Sequence, residues 1–396
     1  MAKIGIFGGS FNPPHEGHIL AMEEFQTQLG LDYLLVIPAG DPPHKVLSAN
    51  SPTDQQRLEM TRLAVGGLKN AEVLDLEIKR TGLSYTADTI EILRKQYPDD
   101  ELFLLMGTDM FYSFGTWYQP ERITKEATIA VAHRDADSPA KLQSCAKELE
   151  EKLGARIAFV ENQYLPHSST SVRAMIAFLC ADPYLDPAVL EYIKANGLYY
   201  AGRNLKDLSF EELREVSLSL HKSKRTDHVR GCSDTAAALA EHYGESVEDA
   251  RRAGILHDIT KALNGTEQLQ LAEKYAMILD NFEREHPKLL HAKTGAVIAK
   301  EIFGEKDAVC ESIRWHTTGR DNMTLLEKII YLADYIEPNR SMEGIEELRR
   351  QTWTDLDEAM MTGLGMTISY VRSRGAKVDP HSAAALGFFQ ERKQNP

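Results

Sequence analysis

Gly8-Gly9-Ser10-Phe11-Asn12-Pro13-Pro14-His15-Glu16-Gly17-His18 follows directly on the short run Ile4–Phe7 near the start of the chain. A β-rich run that ends in two glycines and reopens as a helix reads as a strand–loop–helix unit. Glycines let backbone amides approach a phosphate closely, and the N-terminus of the following helix adds positive potential. His15 and His18, three residues apart at the opening of that helix, share one side of a turn. They are placed to donate hydrogen bonds to phosphate oxygens as charge builds up there. A glycine-rich loop alone is usually only a turn; the full Gly-x-Phe-x-Pro-x-His-x-Gly-His string is far more specific.

Outward from this unit, the first half alternates two periods. Short β-rich runs read at Lys3–Phe7, Tyr33–Ile37, Val73–Ile78, Leu102–Met106, Ile129–His133 and Ile157–Val160. Between them, Ile19, Met22, Phe25 and Leu29 share a helical face, as do Ile90, Leu93 and Tyr97. Strands separated by helices imply right-handed crossovers and a mostly parallel sheet covered on both sides. In such sheets ligands bind beyond the carboxyl ends of the strands. A last helix starts at Pro187 and stops before Gly197. From Leu208 onward helical periodicity dominates. The expected organisation is an α/β domain over residues 1–200, a linker over 201–207 and an all-α domain over 208–396.

A chain of 396 residues is too long for one ordinary core. Its net charge of −14 argues against a nucleic-acid backbone as ligand, though a local pocket can still be positive. No apolar run approaches a membrane span, and the N-terminus enters a strand rather than a signal-peptide core. The four cysteines are scattered without a Cys-x-x-Cys pair, so a cytoplasmic protein with reduced thiols is expected.

A second phosphate signal is Ser168-Ser169-Thr170-Ser171-Val172-Arg173. Hydroxyls before an apolar helix are usually caps. Arg173 near the start of that helix opposes the helix dipole, and a bound triphosphate would remove the conflict. In the second half the doublet His257-Asp258 is accompanied by His228, His291, His316 and Asp334. A lone histidine is ordinarily structural or exposed. An imidazole beside a carboxylate pairs a borderline nitrogen ligand with a hard oxygen able to bridge two cations. Ligands contributed by separate helices are a common way to build a metal site in all-α folds.

The first half resembles the HIGH-type nucleotidyltransferase superfamily and, within it, the bacterial nicotinate-nucleotide adenylyltransferases. The likeness runs from GSFNPPHEGH to SSTSVR, through Pro42-Pro43-His44-Lys45, Ser84-Tyr85-Thr86-Ala87-Asp88-Thr89, Gly107-Thr108-Asp109 and Trp117. It implies a Rossmann-like domain that joins nicotinate mononucleotide to the adenylyl group of ATP with Mg²⁺, releasing pyrophosphate and deamido-NAD. By matching position, His15, His18 and Arg173 would hold the ATP phosphates. Gly8, Gly9, Ser10, Phe11, Asp109, Ser169 and Thr170 would complete the ATP site. Lys45, Thr86, Trp117 and Arg134 would contact nicotinate mononucleotide; Trp117 reads equally well as a core aromatic. His167 stands where the family often has an apolar residue.

Arg225-x-x-His228, Gly254-Ile255-Leu256-His257-Asp258, His316-Thr317-Thr318-Gly319 and Ala333-Asp334-Tyr335-Ile336-Glu337-Pro338 resemble the HD-domain phosphohydrolases, a helical bundle. The subgroup it most resembles is the YqeK-type symmetrical diadenosine tetraphosphatases, over about Leu213–Leu386. The resemblance implies iron, or manganese or another divalent metal, held by His228, His257, Asp258 and Asp334. His291 and His316 would bind a second metal or a substrate phosphate, with Asp258 catalytic. Arg225 and Lys261 are phosphate candidates, though Lys261 reads more readily as a solvated surface residue. Ala292 replaces a glycine frequent after the third histidine.

The reading is therefore a bifunctional enzyme acting on small nucleotides, with no nucleic-acid or membrane partner and with self-association left open. Two alternatives stand beside it. The acceptor of the first half could be another phosphorylated compound such as phosphopantetheine. The HD half could be a nucleotide-binding regulatory module or act on another nucleotide.

Overall fold

The structure, a computed structural model, describes residues 1–41, 51–133, 138–162, 165 and 167–394. The chain divides into two compact units, Met1–Gly202 and Arg203–Pro396.

In the first unit, β1 (Lys3–Gly9), β2 (Tyr33–Pro38), β3 (Ala71–Val73), β4 (Glu101–Gly107), β5 (Ala127–His133) and β6 (Ile157–Glu161) form one sheet. The order is β3-β2-β1-β4-β5-β6, and every neighbouring pair is parallel. Successive side chains point to opposite faces, so both faces must be covered. Leu35, Ile37, Leu102 and Leu104 enter one core, while Leu34, Val36, Phe103 and Leu105 enter the other.

Helices α1 (Glu16–Leu29), α2 (Asp54–Val65), α3 (Leu76–Lys79), α4 (Thr86–Gln96) and α5 (Thr108–Ser113) occupy the first part of this unit. Then come α6 (Pro120–Glu126), α7 (Pro139–Leu153), α8 (Ser169–Ala177) and α9 (Pro187–Ala195). Met22 and Phe25 of α1 close one face, and Ile90 and Leu93 of α4 with Leu142 and Leu149 of α7 close the other. The strand order reverses between β1 and β4, which opens a crevice beyond their carboxyl ends. Gly8–His18 and Gly107–Asp109 lie at that crevice.

One expected strand differs. Val73–Ile78 does not continue as a strand; β3 stops at Val73 and residues 76–79 turn into α3. The ion pair Asp75–Lys79 (3.0 Å) suits a helical turn, and the buried Glu77 accepts from Thr89 Oγ1 at 2.7 Å. Polar groups at alternate positions of that run find partners only off the ladder.

The second unit is helical throughout its described residues. Its first helices are α10 (Phe210–Leu220), α11 (Ser223–Tyr243), α12 (Val247–Leu256), α13 (Gly265–Lys274), α14 (Asn281–Glu285) and α15 (Leu290–Glu301). They are followed by α16 (Asp307–Trp315), α17 (Leu325–Ile336), α18 (Ile345–Thr352), α19 (Leu356–Ser373) and α20 (Pro380–Gln394). No helix among the described residues is long and apolar enough to cross a membrane.

Helix α11 packs closely on α12, and Gly254 is the reason it can. A Cβ at Gly254 would stand 2.6 Å from Ser233 Cα, a backbone atom that cannot swing aside. This contact fixes how near His257, just past α12, comes to His228 on α11. Gly254→Ala is therefore expected to destabilise the helical unit by about 1–3 kcal/mol, the usual cost of overpacking. Urea unfolding followed by helical circular dichroism measures it.

Candidate functional site

In the first unit, the loop after β1 is held by side chains rather than by a ladder. Arg57, wholly buried on α2, donates to Ser10 O (2.7 Å), Ala39 O and Gly40 O (3.1 Å), and to Asp54 (2.7 Å). Arg173 Nη1 donates to Asn12 O at 2.7 Å, and Ser169 Oγ to Pro13 O at 3.1 Å. Arg173 sits one turn inside α8; Nη2 also reaches Thr170 Oγ1 at 3.2 Å. Ser168 is the N-cap of α8, accepting from Ser171 N at 3.1 Å. The first hydroxyl is thus a cap, while the next two tie α8 to the loop and to Arg173. His167 packs edge-on against Tyr184.

His15 is the residue before α1, and its ring lies 3.8 Å, centroid to centroid, from that of His18. A Cβ at Gly17 would approach His15 Nδ1 to 3.1 Å, so a side chain there would press on the His15 ring. His18 Nδ1 accepts from His15 N at 3.2 Å. A ring whose Nδ1 accepts carries its neutral-state proton on Nε2, so His18 offers a donor on its other side.

Asp109 is exposed on α5, just past the carboxyl end of β4. Thr86 opens α4, and Trp117 is half-buried with its ring 5.3 Å from Phe114. Tyr85 and Tyr118, adjacent to Thr86 and Trp117 in the chain, pair with ring centroids 4.2 Å apart, a contact that periodicity did not reveal. Lys45 and Arg134 lie outside the described residues.

In the second unit, six side chains converge from separate elements. His228 comes from α11, His257 and Asp258 follow α12, His291 is on α15, His316 follows α16 and Asp334 is on α17. His228 Nε2 lies 3.3 Å from His257 Nε2, 3.1 Å from Asp334 Oδ1 and 3.8 Å from Asp258 Oδ2. His257 Nε2 is 3.4 Å from Asp258 Oδ2 and 3.7 Å from Asp334 Oδ1. The other carboxylate oxygen, Asp258 Oδ1, faces His291 Nε2 (3.4 Å) and His316 Nε2 (3.7 Å). Asp258 therefore stands between two ligand sets.

Each imidazole is oriented through its other nitrogen. His257 Nδ1 contacts Gly254 O at 2.7 Å, His316 Nδ1 Ile313 O at 2.6 Å, and His291 Nδ1 Lys288 O at 2.9 Å. A carbonyl can only accept, so these rings carry a proton on Nδ1 and turn Nε2 inward, where a bound cation would take its lone pair. His228 Nδ1 instead meets Glu337 Oε1 at 3.1 Å, a buried carboxylate that also binds Asn339.

Burial opposes ionisation of Asp258, but His257 and Lys261 outweigh it and hold its carboxyl well below the usual range. Asp334 behaves alike: against burial, His228, His257 and Arg340 keep it ionised. Asp258 Oδ1 is buried without a hydrogen-bond donor among the described residues. A buried ionised oxygen with no donor is costly, and a divalent cation would satisfy it. The donor set of imidazole nitrogen and carboxylate oxygen suits iron, manganese or zinc. The triads His228/His257/Asp334 and His257/Asp258/His316 each bring three ligand atoms within 4.8 Å of one another.

Arg225 pairs with Asp258, and Arg340 Nη2 with Asp334 Oδ1 at 2.7 Å. Lys261 is exposed along its stem but turns its Nζ inward, 2.8 Å from His291 Nε2 and 3.8 Å from Asp258 Oδ1. Thr317 Oγ1 touches both His291 Nε2 (3.2 Å) and His316 Nε2 (3.1 Å). Glu337, Arg340 and Thr317 were missed by reading ligand types alone; their signal was proximity in sequence to Asp334 and His316. His286 points elsewhere, stacked on Phe282.

Two outcomes are expected. Glu337→Ala should weaken retention of Fe²⁺ or Mn²⁺ by about 10–100-fold, with Glu337→Gln closer to wild type, as judged by metal titration. Burial depresses His221 and His291 to about 3, with Lys261 adding to the effect at His291. Unfolded histidine titrates near 6.5, so this neutral-state stability is present above about pH 6.5. It is lost as pH falls toward 3, and a pH series of urea unfolding on chelator-treated protein should show that loss.

Comparison with known proteins places these geometries. A cytidylyltransferase-like family model matches residues 6–175, and an HD-domain model matches residues 225–339. A probable nicotinate-nucleotide adenylyltransferase of Borrelia garinii subsp. bavariensis is 35% identical over 204 residues, spanning 51% of this chain and 98% of the relative. The corresponding protein of Neisseria meningitidis serogroup C is 37% identical over 204 residues, spanning 50% and 99%. A Clostridium acetobutylicum structure, described as a predicted HD superfamily hydrolase involved in NAD metabolism, is 35% identical and covers 47% of this chain and 98% of its own, with a TM-score of 0.46. The second unit carries an HD domain, and through its first half the chain belongs to the nicotinate-nucleotide adenylyltransferase family.

Proposed function

We propose that the chain is a bifunctional enzyme. The first unit transfers AMP from ATP to nicotinate mononucleotide. An oxygen of the mononucleotide phosphate bonds to the α-phosphorus, the bond from that phosphorus to the β-bridging oxygen breaks, and pyrophosphate leaves with deamido-NAD as product. The observation that carries this reading is the match over almost the whole length of two adenylyltransferase relatives, joined to a loop whose donors face the crevice of a parallel sheet.

No protein nucleophile is required; the reaction needs two anions held in line. Amides around Gly8, Gly9, Ser10 and Phe11, with Ser169 and Thr170, would cradle the triphosphate. His18 Nε2–H, His15 and Arg173 would meet the charge that grows on the leaving phosphates. Asp109 would contact the adenosine. Thr86 and Trp117 would receive the pyridine ring, with Lys45 and Arg134 on the acceptor's anionic groups. Mg²⁺, when bound, offsets phosphate charge.

The second unit hydrolyses diadenosine tetraphosphate symmetrically. Water adds to a phosphorus beside the central bridging oxygen, that P–O bond breaks, and two ADP molecules leave. Support comes from Asp258, whose two oxygens face separate imidazole sets. His228, His257, Asp258 and Asp334 would hold one divalent metal, iron or manganese; His291 and His316 would hold a second or a phosphate. Such a metal supplies Lewis acidity toward phosphoryl oxygens and makes water more acidic. Arg225, Lys261 and Arg340 would pair with the polyphosphate, and buried Nδ1 contacts keep every imidazole from rotating.

The test is a product assay on the full chain. Nicotinate mononucleotide with Mg-ATP should yield deamido-NAD, and diadenosine tetraphosphate with Fe²⁺ or Mn²⁺ should yield ADP alone. His18→Ala should lower only the first rate and Asp258→Ala only the second, each by about 100-fold or more. An unreacted tetraphosphate under every metal would remove the hydrolase reading and leave the transferase reading standing.

A further inference from the structure

The end of the first unit carries an unusual backbone. Tyr199 and Tyr200 both lie in the left-handed region, at φ 52° and 65°, directly after Leu198 and Gly197. That region is unfavourable for bulky residues with a Cβ and persists only where surrounding contacts hold it. Here the contact is specific. The Tyr199 ring is buried, and its hydroxyl donates to Asn12 Oδ1 at 2.6 Å.

Asn12 is the middle of the phosphate loop. Its backbone carbonyl accepts from Arg173, and its Nδ2 donates to Ser51 Oγ at 3.2 Å. Tyr199 thereby links the loop after β1 to α8 and its arginine, across 187 positions of sequence. Burial pushes the Tyr199 hydroxyl up, and the nearby Arg173 and Arg57 pull it down without overcoming burial, so it remains a donor. A tyrosine serving only to fill the core would need neither this rotated backbone nor a buried acceptor on the loop.

We infer that Tyr199 is a positioning residue for the nucleotide site: its hydroxyl fixes Asn12, and through it the Ser10–Pro14 loop and Arg173, in the arrangement that receives the triphosphate of ATP. The inference rests on the adenylyl-transfer reading of the first unit. It adds that the segment Gly197–Ala201 belongs to the frame of the ATP site.

Full-length Tyr199→Phe keeps the ring and removes the hydroxyl. Equilibrium binding of Mg-ATP should weaken about tenfold, the usual effect of leaving one buried acceptor without its donor. KM for ATP should rise in parallel, while KM for nicotinate mononucleotide stays within about twofold and kcat changes less than KM for ATP. Asn12→Ala should reproduce the ATP defect, and the double variant should be no worse than either single one. ATP affinity unchanged in Tyr199→Phe, or a fall in kcat and thermal stability with both KM values unchanged, overturns the inference. If the wild-type chain binds Mg-ATP but adenylylates no nicotinate mononucleotide, the proposed reaction fails and the inference is judged on the two ATP affinities alone. A wild-type chain that binds no ATP overturns both.

Discussion

An imidazole has two nitrogens, and the contact made by one decides what the other can offer. Both units depend on this constraint, and they use it in opposite senses. His18 accepts a backbone N–H at Nδ1 and so presents a proton at Nε2. His257, His291 and His316 meet carbonyls at Nδ1 and so leave Nε2, whose lone pair a cation can take, to face the site. One arrangement suits an anion and the other a cation. The selection is made by helix geometry: His18 reaches back to the start of its own helix, His257 and His316 sit just past a helix and meet a carbonyl three residues earlier, and His291 meets the carbonyl of Lys288 just ahead of α15.

The two sites also differ in how buried polar groups are satisfied. In the first unit the loop between β1 and α1 has left the sheet ladder, and its carbonyls need donors from elsewhere. Arg57, Arg173 and Ser169 supply them, so the loop is rigid although it has no regular structure. In the second unit the groups needing partners are charged. Asp258 and Asp334 are surrounded by imidazoles and by Arg225, Lys261 and Arg340, a balance that permits two carboxylates to stay ionised inside a helical core.

Much of this could be read along the chain because the informative spacings are local. Short β-rich runs located β1, β2, β4, β5 and β6, and the turn from Gly8 to His18 marked the loop. Val73–Ile78 misled because apolar content at alternate positions looks the same whether the polar residues between them face solvent or, like Glu77, a buried threonine. What periodicity could not reveal was pairing over distance. Nothing near Lys261 in sequence shows that it bends toward His291, and nothing near Tyr199 points to Asn12. Glu337 lay within a recognised stretch, yet its contact with His228 depends on how α17 packs against α11. Residue type identifies candidates for first contact with a ligand; the groups that orient them become visible only when the helices are assembled.

That assembly has a kinetic side. The six side chains of this cluster, Asp258 included, come from five chain segments, and no two consecutive helices hold the whole set. An unfolded chain has only the His257-Asp258 doublet within reach of a single ion, so tight capture must wait until α11, α12, α16 and α17 have docked. An ion held by this set would therefore bind late in maturation, on the completed bundle. Such an ion would slow the bundle's opening rather than speed its formation.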